Sequence, residues 1–166
     1  VGHADPVTVV LDRTPFYGES GGQVGDTGWL EWQGGRFEVT DTQREGGFML
    51  HVGHLREGRL DLGQAVTAVV DDRRRAALRR AHSATHLLHA ALQHHLGSHA
   101  VQQGSKVDAD HLRFDFSHTS SIDADTLRNI ESMVNDRVLD AVPVSARLLP
   151  LAEARHEGAM MLDQKS

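Results

Sequence analysis

The periodicity of the chain changes once, near residue 72. That change restricts the fold to β structure followed by mixed helix and strand. Before it, apolar and polar residues alternate in short runs, the clearest being Val7–Leu11, Gly28–Trp32, Arg36–Thr40 and Ala65–Val70. Gly34-Gly35, Gly46-Gly47, Gly53 and Gly63 separate these runs at hairpin-like intervals. Short strands so spaced predict a small antiparallel barrel over residues 1–72. From Arg73 to Leu96 the apolar positions Ala77, Leu78, Ala81, Ala84, Leu88, Ala91 and Leu92 recur at helical spacing, with Asp71 or Asp72 to cap the start and Gly97 to stop it. Beyond lie a strand bent at Gly104-Ser105, an alternating strand Leu112–Phe116, and a helix Ile122–Leu139 capped by Ser121 or Asp123. A strand Val144–Leu149 and a short helix Leu151–Glu157 follow. The order predicts an α+β chain: a barrel, then an α+β core over residues 73–166.

Composition narrows the function classes. The chain has 166 residues, a formal charge of −6 and no cysteine, so disulfides and thiolate zinc ligands are excluded within it. No apolar run approaches the ~20 residues of a bilayer span and no signal pattern opens the sequence, so a cytoplasmic location is expected. An acidic chain does not coat nucleic acid at large, yet Arg73, Arg74, Arg75, Arg79 and Arg80 crowd the start of the long helix. Such a ridge fits one phosphate segment, or else it is a solvated helix start. Val1 in first place, and the apolar stretch Gly158–Leu162 beginning near the other end, are what a piece of a longer chain would show.

Two segments carry chemistry. His82 and His86, in AHSATHLLH, are one helical turn apart, so both imidazoles lie on one face and can share a metal ion. Zinc suits such donors, whereas calcium prefers oxygen. With 12 histidines in the chain, a chance pair is the competing reading. The second segment, TPFYGESGGQVGDTG (14–28), holds five glycines and a proline in 15 residues. It predicts a tight loop whose backbone amides can approach a ligand, although no Gly-Lys-Ser/Thr follows as in a phosphate-binding loop.

Taken with QQGSKV (102–107) and LRFDFSH (112–118), these segments resemble the editing region of alanyl-tRNA synthetases and their free-standing relatives, over nearly the whole chain. The resemblance implies a Gly-rich barrel packed on an α+β deacylase core similar to that of threonyl-tRNA synthetases. It implies hydrolysis of the ester joining the 3′ end of tRNA(Ala) to wrongly attached serine or glycine. A pocket for alanine discriminates weakly against either, so a second sieve is needed. His82 and His86 then match the first pair of zinc ligands, and Thr85 and Gln102 the polar groups beside the amino-acid side chain. Arg73, Arg75, Arg79 and Arg80 would guide the acceptor strand. Ser105 and His118 are weaker candidates, His89 a packing residue, and Arg113 with Asp115 either an ion pair or a contact to the terminal adenosine. The family's other two zinc ligands come from a downstream Cys-x-x-x-His segment that this sequence lacks, so only half a zinc site is expected. ATP would serve the activation domain of a full synthetase and not these residues. The rivals are a noncatalytic tRNA-binding module and another metal-dependent hydrolase sharing only the helix.

Overall fold

The structure is a computed structural model and describes residues 5–145 and 147–157. The fold is α+β, and the chain falls into two compact units. One runs up to His86 and takes in Gln103–Phe116; the other holds Leu87–Gln102 and the chain from Ser117.

The first unit is built on five antiparallel strands: β1 (Val7–Val10), β2 (Gly28–Trp32), β3 (Gly35–Glu45), β4 (Phe48–Glu57) and β5 (Thr67–Val70), in the order β1-β4-β3-β2-β5. β3 and β4 form a long hairpin closed by Gly46 and Gly47, whose φ values of 55° and 85° meet the positive-φ demand of a tight two-residue turn. Phe16, Leu30, Phe37 and Val39 form the buried core, with Val9, Leu11, Trp32, Val66, Ala68 and Val70 packed against it. Each such buried side chain contributes roughly 1.5–3 kcal/mol.

The expected barrel is corrected to an open sheet. β1 and β5 are its edges, and among the described residues no ladder joins them. Register shifts at Arg36/Phe37 and Val39/Asp41 curl the sheet, so both edge strands reach the same core without closing a ring. Alternation encodes which face is buried, and an open coiled sheet satisfies it as well as a barrel does. Gly53 is likewise no separator. It lies inside β4 opposite Val7 and Val39, where a Cβ would stand 1.7 Å from the Glu38 carbonyl.

Helix α1 (Asp72–Leu96) begins where Asp71 caps it, its Oδ1 accepting from the Arg74 N–H at 2.9 Å. It ends at Gly97, which adopts φ 107°. β6 (Gln102–Val107) and β7 (Leu112–Phe116) make a two-stranded sheet, and Gly104-Ser105 does not interrupt β6. In the second unit, α2 (Ala124–Leu139) is capped by Asp123, which accepts from the Thr126 N–H at 2.8 Å. Of its expected stripe only Ile130 is buried; Leu127 and Val138 are exposed. α3 (Leu151–His156) follows. The strand expected over Val144–Leu149 is absent among the described residues: Val144 and Leu148 are fully exposed, with no apolar partner to reward pairing. The stretch Gly158–Leu162 lies outside the described residues.

Candidate functional site

α1 sets His82 and His86 side by side, their rings nearly parallel (24°) with centroids 5.4 Å apart. Burial of His82 pushes its pKa below the ordinary value, and repulsion from His86 adds to the effect. Both influences favour neutral imidazole, the form that ligates metal. The donor chemistry therefore fits zinc as two of the three or four protein ligands such a site needs. Among the described residues, no group of three or more His, Asp or Glu side chains is arranged to hold a metal ion.

The residue that sequence reasoning missed is Gln23. It is 5% exposed, and its Oε1 lies 2.8 Å from His82 Nδ1. The available signal was a lone amide inside a run of glycines, to which periodicity is blind. The loop around it is closed on itself and on its neighbours, not held open for a ligand. Ser20 and Gln23 exchange backbone hydrogen bonds, Glu19 donates to the Thr42 carbonyl, and Val107 donates to that of Gly22. The glycines serve close approach. A Cβ at Gly25 would stand 2.0 Å from the Thr42 oxygen, and one at Gly22 would stand 2.5 Å from that of Ser105.

Thr85 is 4% exposed and donates its hydroxyl to the Ala81 carbonyl of its own helix at 3.0 Å, which leaves the oxygen free only to accept. Gln102 is half-buried at the start of β6, in the second compact unit, whereas Thr85 belongs to the first. His89 donates from Nε2 to the Ala100 carbonyl at 3.2 Å. Arg113 and Asp115 form an ion pair at 3.2 Å. His118 stacks on His99, with Nδ1 2.9 Å from His99 Nε2, and its Nε2 is 3.2 Å from the Ser120 hydroxyl.

The arginine ridge divides. Arg75 turns inward and pairs with Asp26, a carboxylate 1% exposed that also accepts from the Tyr17 N–H at 2.6 Å. The hydrogen bond to Asp26 is the main reason the Arg75 pKa is raised. Arg75 also donates to the Pro15 carbonyl, and Arg74 to that of Gly25 at 2.7 Å. Arg73, Arg79 and Arg80 are exposed. No helix among the described residues is long and apolar enough to cross a membrane.

The glycine-rich loop and the sheet it is clamped to lie in the stretch that matches a class of synthetases, and the histidine pair lies just beyond it. The family model "tRNA synthetases class II (A)" matches residues 1–74. Among individual relatives, the alanine–tRNA ligase of Dichelobacter nodosus is 49% identical over 158 residues, covering 95% of this chain and 18% of that protein. That of Chromohalobacter salexigens is 54% identical over 154 residues (93% and 18%), and that of Thermus thermophilus 51% over 162 (97% and 18%). The chain belongs to the alanyl-tRNA synthetase family, and it spans about 18% of the length of these relatives.

Proposed function

We propose that these residues form the editing part of an alanyl-tRNA synthetase, hydrolysing seryl- or glycyl-tRNA(Ala) and so keeping alanine attachment faithful. Residues 1–72 would supply the sheet and 73–166 the deacylase core, of the kind threonyl-tRNA synthetases use. The observation that carries the reading is the pair of neighbouring imidazoles of His82 and His86, the first of them partly desolvated. In the reaction water adds to the ester carbonyl, and the ribose hydroxyl leaves with a proton as free serine is released.

His82 and His86 would hold zinc, with the remaining ligands supplied from outside the described residues. Bound there, zinc would polarise the ester carbonyl or lower the pKa of a water molecule. Thr85 offers a buried oxygen able to accept from a serine hydroxyl, with Gln102 as the second polar reader. Alanine would leave such groups without a partner, and that inverts the selectivity of the aminoacylation pocket. Arg73, Arg79 and Arg80 are the cations available to acceptor-strand phosphates. Arg75 drops out of that set because Asp26 holds it.

The two-donor set favours one second reading, a tRNA-binding module with no catalytic centre. Release of serine from seryl-tRNA(Ala), measured beside alanyl-tRNA(Ala) with zinc present, separates the two. Selective release supports editing by these residues. Equal, background-level loss from both substrates supports the module.

A further inference from the structure

Gln23 is held more firmly than a loop residue need be. Its N–H donates to the Ser20 carbonyl at 3.0 Å, and its own carbonyl accepts from the Ser20 N–H at 3.1 Å. On either side of it, Val24 donates to the Val107 carbonyl at 3.2 Å and Val107 donates to that of Gly22 at 2.7 Å, so the loop cannot slide along β6. The side chain projects from this clamp to bring Oε1 within 2.8 Å of His82 Nδ1. An amide oxygen only accepts, so the proton between the two atoms belongs to Nδ1. A neutral imidazole has one N–H, and Nε2 is left with the lone pair. An unconstrained histidine side chain in water prefers the opposite tautomer.

We infer that Gln23 is a positioning residue that locks His82 in the Nδ1–H tautomer and thereby presents Nε2 as its metal-binding nitrogen. The glycines acquire a purpose on this view: Gly22 and Gly25 let the main chain press against Ser105 and Thr42, so that the glutamine between them reaches α1. Histidine ligands are commonly fixed by an acceptor behind the ring. The consequence for metal rests on the proposed role of His82; the tautomer does not.

Long-range ¹⁵N–¹H correlation spectra of the metal-free chain at alkaline pH read the tautomer directly. His82 is expected to carry its proton on Nδ1. Gln23→Met keeps the length without the acceptor and should move the population toward Nε2–H, while Gln23→Glu retains Nδ1–H. An Nε2–H signal in the unmodified chain overturns the inference, and that spectrum decides it even if the Met variant does not fold. In titrations with zinc alone, Gln23→Met should weaken binding by about 10–100-fold. Unchanged affinity in a folded Met variant overturns the positioning role. A His82→Ala variant that binds zinc as before would instead sink the metal reading and leave the tautomer result standing.

Discussion

At the scale of single residues, the Asp26–Arg75 pair and His51 give the sharpest expectations, because each is a buried polar group with named partners. Taking the guanidinium from a buried carboxylate is strongly destabilising. Arg75 keeps some contact with water, its side chain being 30% exposed. Arg75→Met should therefore lower stability by about 3 kcal/mol, the low end for a broken buried pair. Arg79→Met, on the surface, should stay within about 0.5 kcal/mol. Urea unfolding distinguishes them, and tRNA binding should rank them in reverse, with Arg79 the more important for affinity. His51 is fully buried, donating from Nδ1 to the Val9 carbonyl at 3.0 Å, with the Thr14 hydroxyl 2.8 Å from Nε2. Burial lowers its pKa from 6.5, outweighing the Val9 hydrogen bond, which raises it. The folded state thus takes up this proton less readily than the unfolded chain. Its effect on stability is flat above 6.5 and grows unfavourable as pH falls from there through the folded pKa. His82 is shifted in the same direction. Thermal midpoints at about pH 7.5 and about pH 5.5 should differ less in His51→Gln than in the parent chain.

Elements were legible in the sequence where one face meets a core and a cap or glycine marks the end. β2 and β7 match their expected bounds, α1 differs by a single residue, and Asp123 proves to be the cap of α2. β4 was not legible, because Gly53 in mid-strand and two histidines break its alternation. That glycine answers to the Glu38 carbonyl across the sheet, a long-range contact no local pattern encodes. The same blindness concealed Gln23 and the inward turn of Arg75, whose partners are 59 and 49 residues away. The histidine pair, in contrast, was readable because both rings sit on one helix. Gly25→Ala and Gly53→Ala should each destabilise by about 2 kcal/mol or more, since backbone stands where the methyl would go. Gly34→Ala meets nothing within 4 Å and should carry only the ~1 kcal/mol strain of its φ of 89°. Thermal unfolding of the three variants gives the ranking.

For the molecule as a whole, the expectation is a metal-dependent, serine-selective activity toward tRNA(Ala) that fails when either imidazole is removed. His82→Ala and His86→Ala should each abolish zinc uptake, and Ser83→Ala should spare it; isothermal titration with zinc compares them. Equal uptake by all three would refute the ligand assignment. The clamp of the Gly-rich loop on β6 also bears on how the chain is made. Translation delivers the loop before α1, and Val107 only after the whole of α1 has been made. The nascent sheet therefore leaves the ribosome with its glycine-rich segment unfastened. Glycine-rich backbone loses the most freedom on ordering, and a distant closure is slow to form. The glycine-rich loop, made before its β6 partner, is thus expected among the last parts of its unit to set, with His82 acquiring its fixed orientation only then.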